Sequence, residues 1–85
     1  MKTYFKVVST READGVLGYE ELYGNGPRYF LLRLVAEANA AAMNRDGFGS
    51  VELVGTYSVE ERKMYDDGTA DDSDDEFFRR QILGD

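Results

Sequence analysis

Seven of the eleven residues from Asp66 to Glu76 are carboxylates (Asp66, Asp67, Asp71, Asp72, Asp74, Asp75 and Glu76), and no base interrupts them. Clustered carboxylates admit three chemistries: paired acid and base catalysis, capture of a hard cation, and electrostatic recognition of a basic surface. Acid–base work of the glycoside-hydrolysing kind needs two carboxyls in separate environments within a shaped cleft, which a polar loop does not supply. For a cation, Asp71, Ser73 and Asp75 alternate as in a calcium loop. The position that an EF-hand reserves for glycine is Glu76, however, and no helix of suitable length precedes the run. What remains is the weak, nonspecific attraction of carboxylates for hard cations. The chain contains neither cysteine nor histidine. This excludes thiolate and imidazole metal sites, Ser-His and Cys-His nucleophile pairs, and the commonest general base near neutral pH. The segment Gly24-Asn25-Gly26-Pro27-Arg28 lacks the lysine and hydroxyl ending of a phosphate-binding loop. The sequence thus predicts no catalytic set, cofactor or metal.

Recognition by charge is the chemistry left. From Glu60 to Glu76, nine acids stand against Arg62 and Lys63, a balance of −7 that equals the net charge of all 85 residues. A nearly neutral body therefore carries one anionic block, the signature of a basic partner surface. If the run were extended at ~3.3 Å per residue, its carboxylates would fall about 5 Å apart, comparable with the ~3.4 Å phosphate spacing along one DNA strand. The predicted partner-binding residues are these seven carboxylates together with Glu60, Glu61 and Tyr65, an exposed tyrosine beside carboxylates being a good anchor on a protein partner. The ten lysines and arginines are dispersed and form no stripe, which disfavours direct binding of nucleic acid. The competing reading of the run is a solvated loop that leads into a normally capped helix.

These residues must be carried by a single domain spanning residues 1–85, whose 42% hydrophobic content is enough for a packed core. Lys2 to Thr10, rich in β-branched and aromatic residues, reads as a strand. After a turn at Arg11 to Gly15, Val16 to Tyr23 reads as a second antiparallel strand or, because of Glu20 and Glu21, as a short helix. Gly24 to Pro27 then predicts a helix from Pro27 to about Asn44, with Leu31, Leu34, Val35, Ala38 and Ala42 toward a sheet and Arg33, Glu37 and Asn44 on the opposite side. Asp46-Gly47 ends it. Ser50 to Val59 alternates as a strand, which Glu60 to Tyr65 either extends or turns back from. The acidic loop, at about 66–72, leads into a short helix at about 74–83, marked by the capping-box spacing of Ser73 and Glu76 and by Gly84 after its end. The expected class is α+β: an antiparallel sheet of three to four strands, one long helix on a face and a short C-terminal helix.

In size, acidity, absence of cysteine and want of a catalytic set, this charge block on a compact strand–helix–strand body resembles the small phage-encoded inhibitors of bacterial defence, anti-CRISPR proteins and anti-restriction DNA mimics. The resemblance is one of type and covers no diagnostic motif. It implies a DNA-mimic inhibitor that blocks a basic nucleic-acid-binding protein or complex, such as a CRISPR effector, in a bacterial cytoplasm. The alternative is an assembly module that forms a homodimer through the apolar side of the C-terminal helix (Phe77, Phe78, Ile82, Leu83) and the six tyrosines. No membrane span is expected, since no window approaches ~18 apolar residues, and the first ten residues lack the apolar stretch of a signal peptide.

Overall fold

The computed structural model describes residues 2–15, 17–24, 26–46 and 51–84. Its centre is strand β1 (Thr3–Ser9), flanked by the two-residue β2 (Tyr29–Phe30) and the seven-residue β3 (Tyr57–Lys63) in the antiparallel order β2-β1-β3. Between the strands in sequence lie helices α1 (Tyr19–Tyr23), α2 (Arg33–Arg45) and α3 (Val51–Val54), and α4 (Glu76–Phe78) continues into a π-type stretch at Arg79–Leu83. The architecture is α+β, as the sequence predicts. None of the described helices is long and apolar enough to cross a membrane.

Residues opposite one another in an antiparallel pair share a face, so the register sorts the sheet. Phe5, opposite Phe30 and Glu61, and Val7, opposite Val59, lie on one face. Lys6, opposite Tyr29 and Glu60, and Tyr4, opposite Arg62, lie on the other. The first face gathers Val7, Tyr57, Leu22, Tyr23, Val54 and Ala40 of α2 into one core. The second packs Tyr4 and Tyr29 against Met64, Ala70 and Phe78. Central β1 is therefore covered on both sides, and even Lys6 is buried.

One open alternative is resolved and two local expectations are corrected. Val16 lies outside the described residues, and of the two readings for the segment that ends at Tyr23, strand or short helix, the helix is found, at Tyr19–Tyr23. Leu22 and Tyr23 are neighbours and both buried, which a strand covered on a single face cannot achieve because its successive side chains point to opposite sides. Pro27 does not open α2. It precedes β2, whose aromatic pair docks on β1 with Val7 N–H donating to the Arg28 carbonyl at 2.9 Å, and the long helix begins only at Arg33. Val51–Val54 is a helical turn, so β3 starts at Tyr57 and then runs on through Glu60 to Lys63. The break is Gly55, whose φ of +76° suits glycine and where a Cβ would stand 2.0 Å from Thr10 Oγ1. Gly47 and Ser50 lie outside the described residues.

The largest correction concerns which side of α2 meets the sheet. Ala36 and Ala40 are buried there, whereas Leu31, Leu34 and Val35 are exposed. The supposed polar side does structural work. Arg33 lies 4.9 Å from the Phe5 ring centroid and bonds Glu61 at 2.5 Å. The Asn44 amide meets both backbone groups of Tyr57, accepting its N–H at 2.9 Å and donating to its carbonyl at 2.9 Å. Two causes roll the helix. Phe5, Val7, Tyr57 and Tyr23 already fill the space above the sheet, leaving room for alanine at the contact, and the edge backbone of Tyr57 needs hydrogen-bond partners that leucine cannot supply.

Candidate binding surface

Met64, just after β3, donates its N–H to the Lys2 carbonyl at 2.8 Å, and the chain then crosses the Tyr4–Lys6 face of the sheet. Its course is set by turns. Tyr65 N–H donates to the Thr69 carbonyl at 2.7 Å and Gly68 N–H to the Tyr65 carbonyl at 2.9 Å, while Asp67 accepts both the N–H and the hydroxyl of Thr69 at 3.0 and 2.7 Å. These two bonds hold the Asp67 carboxyl below the usual carboxylate range. Next, Ser73 Oγ accepts Ala70 N–H at 2.7 Å and Ser73 N–H returns to the Ala70 carbonyl at 3.0 Å, closing a turn over buried Ala70.

Asp72 and Asp75 point inward. Asp72, its side chain 11% exposed, accepts from Lys6 Nζ at 2.9 Å, from Arg62 Nη1 at 3.4 Å and from the Tyr4 hydroxyl. Burial opposes its ionisation, but the Tyr4 and Lys6 hydrogen bonds and the charges of Lys6 and Arg62 outweigh that and hold the carboxyl below its ordinary value. For Lys6 the balance is reversed: burial and the neighbouring guanidiniums of Arg28 and Arg62 lower the ammonium pKa against the pull of Asp72. The same burial, with Asp72 alongside, pushes the Tyr4 phenol far up, so it stays a proton donor.

Asp75 is the helix cap. Its carboxylate accepts Phe77 N–H at 2.8 Å and the Tyr29 hydroxyl at 2.7 Å. The predicted box of Ser73 and Glu76 does not form, because the Ser73 hydroxyl is committed to the turn at Ala70; the helix consequently begins at Glu76 rather than Asp74. Phe78, fully buried, packs edge-on against Tyr4 and Tyr29, and Phe77 stacks on Tyr19 with centroids 3.9 Å apart. Gln81 Oε1 accepts the N–H groups of Arg28 and Tyr29 at 2.8 and 3.0 Å. Phe77, Phe78 and the partly buried Ile82 of this helix thus pack on the chain's own body, whereas Leu83 is exposed, and of the six tyrosines only Tyr65 is exposed.

Asp66, Asp67, Asp71, Asp74 and Glu76 remain exposed. Tyr65 donates its hydroxyl to Asp71 at 2.9 Å, and Glu76 faces Arg80 at 3.7 Å across an exposed helical turn. Glu60 lies on the same face of the sheet and bonds Arg62 at 2.7 Å. Glu61 does not join them, since β3 turns it to the α2 face. Lys2, Met64, Tyr65, Asp66, Asp67 and Gly68 line a shallow depression beside the loop. No group of three acidic side chains among the described residues is placed to hold a metal ion.

Sequence reasoning overlooked the anchors Tyr4, Lys6, Tyr29 and Arg28, whose guanidinium stands 4.0 Å from the Asp75 carboxylate. One signal was present: Lys6 is a lone charge among Tyr4, Phe5, Val7 and Val8 in what becomes the central strand, and a lysine so placed needs a carboxylate from elsewhere in the chain. Comparison with known protein families, with curated proteins and with solved structures finds no match.

Proposed function

We propose that the protein is a non-catalytic inhibitor that occupies a basic, nucleic-acid-binding surface of another protein and blocks it sterically and electrostatically. The observation that supports this reading is the division of labour within the acidic run. Asp72 and Asp75 tie the segment to the sheet, and Asp66, Asp67, Asp71, Asp74 and Glu76 are left outside on a backbone held by turns. A charge array with a fixed backbone loses less conformational freedom on binding than a disordered tail of the same composition. Arginines and lysines of the partner would meet these outer carboxylates, with Tyr65 as an apolar anchor in their midst. Defence complexes that grip DNA or RNA, CRISPR effectors among them, are partners of this kind.

The test uses the intact chain as bait in bacterial lysate. A captured partner is expected to bind nucleic acid, to lose it in competition with the bait, and to dissociate steeply as salt rises. Replacing Asp66, Asp67, Asp71 and Asp74 by asparagine leaves both anchors in place and should abolish capture. Undiminished binding by that variant, or a partner that holds the bait and its nucleic acid at once, rejects mimicry.

A further inference from the structure

The side of α2 turned away from the sheet is as apolar as the side turned toward it. Leu34 and Val35 are 79 and 48% exposed, Leu31, just before the helix, is 53% exposed, and Ala38 and Ala41 continue the stripe into solvent. A helix with apolar residues on opposite sides is ordinarily covered on both. The outer stripe offers roughly 300–400 Å² of apolar surface, the range in which patches on monomers are often functional, and about half of the ~800 Å² that each partner contributes to a standard interface. Arg33, Glu37, Arg45 and Asp46 supply the polar rim, two bases and two acids.

We infer that this face joins two copies of the chain, α2 packed antiparallel to α2 across a two-fold axis near Ala38. Three features single out a second copy as the occupant. First, the stripe is graded in size, with Leu31, Leu34 and Val35 in its first half and Ala38, Ala41 and Ala42 in its second. A two-fold interface sets each residue against its symmetry counterpart. With the axis at Ala38, Leu34 meets Ala42 of the other copy and Val35 meets Ala41, so bulk faces hollow on both sides of the axis. A parallel pair would set leucine on leucine and leave the alanines apart. Second, the rim carries no net charge, so two molecules of net charge −7 can meet here without local repulsion. Third, the acidic segment crosses the Tyr4–Lys6 face of the sheet while α2 covers the Phe5–Val7 face. The dimer therefore carries its two anionic surfaces on its outer sides, far from the axis.

Sedimentation of the intact chain over a range of concentrations tests this directly. A reversible dimer is expected, with Leu34→Glu raising its dissociation constant at least tenfold while circular dichroism and the unfolding midpoint stay at the parent values, as befits a side chain already in solvent. The chain has no cysteine, so a single Ala38→Cys substitution places two thiols beside the axis, and oxidation should cross-link it much faster than Ser58→Cys, an exposed site on the opposite face of the sheet. A chain that stays monomeric at every concentration, equal cross-linking of the two cysteine variants, or a dimer that survives Leu34→Glu overturns the inference. The four-asparagine variant, which tests the acidic surface, should dimerise like the parent, so the two readings fail separately.

Discussion

The two faces of the sheet are covered by opposite means. Over Phe5 and Val7 a regular helix settles through alanines, with an arginine and an asparagine making the directional bonds to Glu61 and Tyr57. Over Tyr4 and Lys6 there is no regular element until Glu76, and an irregular acidic segment is held by one carboxylate among two cations and a phenol, then by Phe78. Repeating backbone hydrogen bonds hold α2 in shape, so that two side chains, Arg33 and Asn44, are enough to orient it. A loop lacks that scaffold, so side-chain bonds must set its course. Charge on this second face consequently has two roles that a residue count cannot separate: it fixes the segment, and it decorates it.

The sharpest break of that contrast is Phe78→Ala. It removes the only fully buried side chain of the terminal helix, and a loss of about 3–5 kcal/mol in urea unfolding is expected. Next comes Asp72→Ala, which strands the buried Lys6 on the covered face, Arg62 keeping its bond to Glu60, and should cost about 3 kcal/mol. Asp72 also predicts a pH signature. Its folded pKa lies below the unfolded value of ~3.9, so its contribution is present above that pH and is lost as pH falls through the folded pKa. Acid unfolding of Asp72→Asn should therefore be flatter below pH ~4 than that of the parent; identical slopes would mean that the ion pair is not what holds the segment.

On the helical face, Ala36→Leu tests whether small size seats α2. Ala36 is fully buried, and overpacking there should cost about 1–3 kcal/mol, whereas the larger side chain would be stabilising if the helix were free to roll back onto its leucine stripe. The smallest effect is expected for the four asparagine replacements at Asp66, Asp67, Asp71 and Asp74. Their stability should lie within about 0.5 kcal/mol of the parent, although partner capture is lost. A large destabilisation would show that the charge of the outer carboxylates is structural, beyond the acceptor oxygen that asparagine keeps for Thr69.

Much of the secondary structure was legible from local chemistry. The β-branched and aromatic run at Lys2 to Thr10 becomes β1, the end of the alternation expected over Ser50 to Val59 becomes the start of β3, which Glu60 to Lys63 extend, and Gly84 ends the last helix in a left-handed conformation, φ 78°. The roll of α2 was not legible. Apolar periodicity identifies a face that prefers to leave water without naming what it meets, and here the side that meets the sheet buries Ala36 and Ala40, with Met43 partly buried beside them. Nor could the acidic run be divided in advance, because seven carboxylates in eleven residues look alike until Lys6, Arg28 and Tyr29 arrive from far along the chain.

The amino-acid sequence by itself determined the class of fold, the concentration of negative charge between Glu60 and Glu76 and the absence of histidine and cysteine chemistry, because these depend on residue type and near-neighbour spacing. Only the tertiary structure decided which carboxylates turn inward and which side of α2 stays in solvent. Both depend on contacts between residues far apart in the chain, Tyr4 with Asp72 for the first and Asn44 of α2 with Tyr57 of β3 for the second, and a buried cation or a crowded core surface selects its partner only once the strands are side by side.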